Sequence, residues 1–329
     1  MDYESFLQIA LAKGVGDIAI RRTIQFFSEN QGASWDMLCS DLSMQNLVFK
    51  GRQDIIENIA SQKEPAKRLA FKLLENDIKP IVFNEEQYPG KLKQALGEKC
   101  PPYLFYRGNI GLANLNAVGF CGSRKASCKG ITITNDCASQ LANNGIVIVS
   151  GYAAGVDIEA HKAALMHSGN TVFVLAEGIS ASSLKKEVKE YLTPENHVFL
   201  SQFMPETAWN AGSAMKRNSV IIGLSDAMII IEAGNKGGTF AAGNEALAMK
   251  HPLFVIEYAN PEASAAANPH FISMGGMPIR RKNGEPNLSQ VYEIIDICQS
   301  LNNNGFSDED CAAERCGSTD MQLGFVVSR

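Results

Sequence analysis

The sequence predicts an α/β protein: a mostly parallel sheet with helices on both faces, preceded by a small helical domain. Three observations carry this. Between Ala117 and Glu257 short apolar runs alternate with helix-length stretches, the pattern of repeated βα units joined by right-handed crossovers. The runs are apolar throughout, as strands buried on both faces are. Several end in glycine, small polar residues or cations, so they deliver loops to the carboxyl edge of the sheet, where open α/β sheets bind ligands.

The first 75 residues are helical in spacing. Phe6, Ile9, Ala10 and Leu11 precede Lys13-Gly14-Val15-Gly16, and Ile18, Ile20, Ile24, Phe26 and Phe27 follow. Two short helices around a Gly-x-Gly turn have the form of a helix-hairpin-helix, whose free backbone N–H groups meet phosphate; a helical turn in a small packing domain accounts for the same residues. A helical stretch from Glu57 to Asn76 is expected to be interrupted near Pro65. Residues 77–116 link to the main domain through strands Lys79–Phe83 and Pro102–Gly108.

Strand Ala117–Cys121 leads to a helix from about Gly130 to Asn143, and strand Ile146–Val149 to a helix from Val156 to Ser168. Strand Thr171–Ala176 precedes a helix at Ser182–Tyr191. Strand His197–Gln202 precedes a helix near Ala214–Gly223. Strand Ala227–Glu232 precedes a helix from Thr239 to Lys250, and strand Leu253–Glu257 closes the series. An amphipathic helix from Leu288 to about Leu301 comes before an acidic tail whose composition suggests loose structure. The expected division is 1–76, 77–287 and 288–329.

The formal charge of −5 argues at first against a nucleic-acid partner. Its distribution removes the objection: residues 109–290 hold 14 Lys+Arg against 14 Asp+Glu, and residues 291–329 hold 2 against 7, so the tail supplies the whole imbalance. A local basic pocket on a neutral domain remains compatible with these totals. The 8 cysteines form no CxxC pair, which suits packed, reduced thiols better than zinc. No apolar run approaches the ~20 residues that span a bilayer, and the acidic N-terminus is unlike a signal peptide. A cytoplasmic protein without a membrane partner is expected.

Four loops carry the candidate chemistry. Gly122-Ser123-Arg124 offers a close backbone approach, a hydroxyl and a planar five-donor fork suited to phosphate. Ser150-Gly151 leaves the next strand, with Gly155 opening a helix. Asp157 lies in that helix's first turn with His161 four residues on, on the same face. The pair reads as a structural hydrogen bond bracing the loop, or as a general acid and base, although no nucleophile or metal cluster accompanies it. Lys216-Arg217-Asn218 stands before an apolar helix. Gly237-Gly238-Thr239, within Gly234–Thr239, joins a strand to a helix as a phosphate-cradling loop does, with Glu232 placed to orient it. Together they predict a pocket for a phosphate or nucleotide, needing no metal or other cofactor.

The segments GSRKAS, SGYAAGVDIEAHKAAL, TVFVLAEGI, KRNSVIIGLSDAMIIIEA and GGTFAAGNEAL, in this order and spacing, resemble the DprA/Smf family over about residues 80–285. NPHFISMGG (Asn268–Gly276) is similar to a late family motif, and the N-terminal segment resembles that family's SAM-like domain. The resemblance implies an extended Rossmann-like fold, single-stranded DNA binding in a basic pocket, loading of a RecA-type recombinase during DNA uptake and recombination, and a homodimer without catalysis. It implies phosphate contacts from Arg124 and Arg217 with help from Lys216, and a pocket shaped by Ser150, Gly151, Gly155 and Gly237 to Thr239.

The chain departs from the family pattern in several places. Ser219 replaces the second arginine of RNR, and Ala154 stands where a basic residue is common. Tyr-Pro is absent from EGISASSLKKEV, Gln202 replaces a glutamate, Ile256-Glu257-Tyr258 replaces Val-Pro-Gly, and no C-terminal winged helix is evident. Rossmann-like relatives also include nucleotide sensors and LOG-type phosphoribohydrolases with PGGxGTxxE. Here the proline is absent and Glu245 falls six residues after Thr239, which disfavours hydrolysis but leaves nucleotide sensing open. An oligomerising scaffold with a vestigial pocket is a third reading.

Overall fold

The computed structural model describes residues 1–304. The acidic tail, with Cys311 and Cys316, lies outside the described residues.

Six helices open the chain: α1 (Tyr3–Ala10), α2 (Asp17–Glu29), α3 (Trp35–Ser40), α4 (Leu42–Val48), α5 (Gln53–Ser61) and α6 (Lys63–Glu75). Side-chain caps set several starts: Asp2 accepts from Ser5 N, Ser34 from Met37 N, and Asp41 from Ser43 N and Met44 N. Gly14, at φ +93°, makes the turn before α2. The expected interruption near Pro65 falls at Gln62, between α5 and α6. Pro65 sits in the first turn of α6, where its absent N–H has no helical partner to lose.

Then follow β1 (Lys79–Val82), α7 (Gly90–Leu96), β2 (Tyr103–Gly108), β3 (Ala117–Cys121), α8 (Cys128–Asn143), β4 (Val147–Ser150), α9 (Val156–Met166), β5 (Thr171–Val174), α10 (Lys186–Lys189) and β6 (His197–Ser201). The chain continues with α11 (Ala211–Leu224), β7 (Ala227–Ile230), α12 (Gly238–Ala248), β8 (Leu253–Ile256), α13 (Asn268–Ser273) and β9 (Met277–Ile279). It ends with the small hairpin β10 (Arg281–Lys282) and β11 (Glu285–Pro286), and α14 (Ser289–Asn304).

Nine strands form one sheet in the order β1-β2-β6-β5-β4-β3-β7-β8-β9. Pairing is parallel from β6 to β9 and antiparallel at the β1–β2 and β2–β6 junctions. From central β3 the strands step outward both ways, the doubly wound arrangement expected of a Rossmann-like sheet. Two sequence expectations change. β8 does not close the series, because β9 adds a further parallel strand through Phe254↔Met277 to Ile256↔Ile279. The helix expected at 182–191 shrinks to the single turn α10. Its would-be first half is instead held as a loop by Lys185 N, which donates to the Tyr152 hydroxyl at 2.7 Å.

Alternating strand residues divide the core. Val147, Val149, Val172, Val174, Met228 and Ile230 face α7, α11, α12 and α13. Val118, Phe120, Ile148, Ile229 and Phe254 meet α8, α9 and α14 on the other face. On that same face, Val82, Phe105, Phe173 and Phe199 share a cluster with Phe6, Ile9, Trp35 and Leu73 of the opening helices. The helical segment therefore shares a core with the sheet.

Among the described residues no helix is long and apolar enough to cross a membrane. Cys39, Cys100, Cys121, Cys128 and Cys137 form no disulfide.

Asn268, 1% exposed, clamps the end of the sheet: its Oδ1 accepts from Ala233 N at 2.9 Å, and its Nδ2 donates to the Ile231 and Ile256 carbonyls, both at 2.8 Å. Asn268→Ala leaves those backbone groups unpaired, and we expect a loss of about 2–4 kcal/mol in urea unfolding. A loss below about 1 kcal/mol, the net worth of one ordinary hydrogen bond, refutes the clamp.

Candidate anion-binding crevice

The sheet's strand order reverses around β3, so the loops after β3, β4 and β7 diverge and leave a crevice at the carboxyl edge. Two glycines let the first two loops touch backbone to backbone. A Cβ on Gly122 would strike the Val156 side chain, and one on Gly155, at φ +83°, would strike the Ser123 carbonyl. Val156 N donates to that carbonyl at 3.3 Å. Behind them Ser150 Oγ donates to the Phe120 carbonyl at 2.7 Å, tying β4 to β3.

Arg217 forms the floor. It lies inside α11, which Asn210 starts by accepting from Ser213 N at 2.7 Å. Lys216, Arg217 and Asn218 all lie within α11, inside the span Ala214–Gly223 expected for this helix and not ahead of its apolar part as a solvated start. Arg217 is 8% exposed, its Nη1 donates to the Val174 carbonyl at 2.9 Å, and its Nε has no hydrogen-bond partner. Burial pulls its pKa down, and the neighbouring Asp157 carboxylate opposes that shift. Gly151 is required here, because a Cβ would collide with the Arg217 guanidinium and the Asp157 carboxylate.

Helix position separates Lys216 from Arg217 by about 100°. The Lys216 ammonium turns to Asp17, 2.9 Å away at the start of α2, and does not line the crevice. Asn218 Nδ2 approaches the Gly238 carbonyl at 3.4 Å, joining α11 to the start of α12. Gly237 adopts φ +100° as α12 begins. Neither α9 nor α12 has a side-chain N-cap; the Val156 N–H of α9 is taken by the Ser123 carbonyl, and the Gly238–Thr239 start of α12 faces the crevice.

Asp157 and His161 do not bond each other, contrary to the structural pairing expected from their spacing. Asp157 accepts from Ala153 N at 3.3 Å. Burial pushes its carboxyl pKa up, and Arg217 counters this. His161 is 0% exposed, with Nε2 2.7 Å from the Gly151 carbonyl and Nδ1 2.5 Å from Thr171 Oγ1. A carbonyl can only accept, so in the neutral ring Nε2 carries the proton and Nδ1 is the acceptor facing Thr171 Oγ1, whose one hydrogen is shared between Nδ1 and the Ile148 carbonyl, 2.8 Å away. Burial lowers its pKa to about 3. Both nitrogens are engaged, so the imidazole holds the loop from behind and is not placed for acid–base work in the crevice. Glu232 accepts from Ser127 N at 2.9 Å and from the Ser127 hydroxyl. It thereby anchors the far end of the loop that carries Arg124.

The crevice has two compartments that share Arg124, Ala153 and Arg217. The smaller, about 300 Å³, takes in Gly122, Ser123, Asp157, Asn218, Lys236, Gly238 and Thr239. The larger, about 420 Å³, adds Tyr152, Glu177, Lys185 and Trp209. Ser150, Gly151, Gly155, Lys216 and Gly237 line neither; the first three shape the crevice from behind. Sequence reading assigned no role to Tyr152, Glu177, Lys185 or Trp209. The signals were slight: one of only 2 tryptophans in the chain, in a polar loop, and a lysine in a stretch that departs from the family pattern. Arg124 lies over the Trp209 ring, 5.4 Å from its centre, and Lys185 over that of Tyr152 at 4.5 Å. Among the described residues no group of three or more His, Cys, Asp or Glu is placed to hold a metal.

Residues 79–284 match the family model of DNA recombination-mediator protein A. The chain belongs to this family. It is 28% identical over 185 residues to DNA processing protein DprA of Bacillus subtilis, covering 55% of this chain and 61% of that relative. It is 30% identical over 211 residues to DprA of Streptococcus pneumoniae, covering 64% and 70%. The solved structure of DNA processing protein A from S. pneumoniae superposes with a TM-score of 0.66 at 23% identity, over 85% of this chain and 95% of that one. That from Helicobacter pylori, described for its single-stranded DNA binding mode, gives 0.54 at 24%, over 68% and 96%. These likenesses establish a common fold. The family match spans every crevice loop.

His161 provides a test by acid. Its folded pKa of about 3 lies below the ~6.5 of an unfolded histidine, so the unfolded chain binds the extra proton in between. Its neutral form supports full stability above ~6.5, and stability falls as the pH drops from there towards 3. Between about pH 7 and 5 the native protein should lose about 2 kcal/mol more than His161→Gln in paired urea titrations. Equal losses contradict a buried neutral imidazole.

Proposed function

We propose that the crevice binds single-stranded DNA through its phosphates and that the chain acts as a non-catalytic recombination mediator. The observation that carries this reading is the convergence of Arg124, Lys185, Arg217 and Lys236 with two uncapped helix N-termini on one crevice, against the carboxylates of Asp157 and Glu177. Phosphate binding by such a set is a matter of charge and donor geometry. Family membership supports DNA as the source of the phosphates, and extends the reading to handing the strand to a RecA-type recombinase and to a homodimer. A free nucleotide is the second reading, favoured by the volume of the larger compartment, about 420 Å³.

Arg124→Ala and Arg217→Ala should each weaken binding of a labelled single-stranded oligonucleotide by roughly tenfold at low salt, and each should flatten the log–log salt dependence by about one unit. Lys216→Ala, whose ammonium is paired with Asp17, should change both much less. Fluorescence anisotropy across a salt series measures this. Equal effects of Lys216 and Arg217, or no binding at all, refute the assignment. Binding of a mononucleotide with no affinity for oligonucleotides supports the second reading.

A further inference from the structure

The larger compartment contains one acid, Glu177, in a wall otherwise supplied with cations from Arg124, Lys185 and Arg217. A carboxylate is ill suited to a surface that only holds phosphates. Glu177 follows the end of β5, and its backbone is held in place by Ser201 Oγ, which donates to the Glu177 carbonyl at 2.7 Å. No hydrogen bond or ion pair of its side chain forms with the described residues. Its charge nonetheless acts on Lys185 and Arg217, so it belongs to the field of this compartment. At the same wall stands Trp209, 50% exposed, with Arg124 5.4 Å from its ring centre. A half-exposed indole beside a phosphate-binding cation is a platform on which a base stacks. The volume, about 420 Å³, falls within the range of small-ligand clefts.

An ionised carboxylate only accepts hydrogen bonds. A base stacked on Trp209 lies in the same compartment as that acceptor. At the exocyclic 4- or 6-position cytosine and adenine present an amino donor, whereas thymine, uracil and guanine present a carbonyl that a carboxylate repels. We propose that Glu177 makes the crevice selective among bases by facing the exocyclic 4- or 6-position, favouring cytosine and adenine stacked on Trp209 over thymine and uracil. This rests on the single-stranded DNA reading and adds to it a preference within the strand.

The test compares labelled deoxycytidine and deoxyuridine homopolymers of about 20 nucleotides, longer than one binding site, by fluorescence anisotropy at mildly alkaline pH. The two bases differ at the 4-position and at N3, and both lack the thymine methyl. The unaltered protein should bind the deoxycytidine strand at least about fivefold more tightly. Glu177→Ala should bring the two affinities together, mainly by tightening the deoxyuridine complex, because a negative charge beside the phosphates is removed. Trp209→Ala should weaken both strands. Equal affinities in the unaltered protein, or a ratio unchanged by Glu177→Ala, overturn the proposal while leaving DNA binding intact. Failure to bind either strand overturns the DNA reading itself, and the proposal with it.

Discussion

The burial of the Arg217 guanidinium is the constraint on which the rest of the crevice depends. A cation this enclosed needs an acceptor and a nearby negative charge. It has the Val174 carbonyl at 2.9 Å and the Asp157 carboxylate in the same pocket. Those two partners come from the end of β5 and the start of α9, so Arg217 links the helix on one face of the sheet to a loop serving the other. It also dictates glycine at 151, since any side chain there would take the space of the guanidinium. His161, bonded to the Gly151 carbonyl, and Ser150, bonded to Phe120, then hold that glycine against the arginine. One buried charge thus accounts for the identity of several residues that never touch the crevice.

The crevice is built around a mismatch. Arg217 retains an Nε without a partner, and α9 and α12 present backbone N–H groups without side-chain caps. Asp2, Ser34, Asp41, Ser127 and Asn210 cap other helix starts, while α2, α5, α6, α7, α10 and α13 also lack a side-chain cap but lie outside the crevice. Donors left open at one place on the sheet, beside fixed cations, are the arrangement that an anion completes. The opening helices meet this region through Lys216–Asp17 and Lys72–Glu206, both exposed pairs worth little by themselves. Their attachment comes from the apolar cluster around Phe6, Phe105 and Phe173.

The architecture was legible because its signals are local. Continuous apolar runs at β3, β4, β5, β6, β7 and β8 reveal buried parallel strands whatever their order, and the glycines between them mark where loops must approach closely. The segments carrying Arg124, Arg217 and Thr239 could be grouped from sequence because parallel βα units deliver their loops and following helix starts to one edge. Local pattern also misled. Spacing of four along a helix paired Asp157 with His161, but both were drawn to nearer partners: Asp157 to Ala153 N, His161 to Gly151 and Thr171. Adjacent cations at 216 and 217 read as one feature, yet one step along a helix turns the side chain through about 100° and sends one to solvent and Asp17, the other into the core.

By itself, then, the sequence determined the fold class, the edge of the sheet at which the crevice opens, and two arginines that line it, since these follow from hydrophobic periodicity and from glycine at strand ends. Only the tertiary structure decided which side chains meet. Tyr152 follows β4, Glu177 and Lys185 share the loop after β5, and Trp209 follows β6; no periodicity brings them together, and they converge because the sheet order places the ends of β4, β5 and β6 side by side. The strand order itself, with β3 at the centre and the opening helices sharing its core, is likewise set by packing between segments far apart in the chain, which a reading of local pattern does not contain.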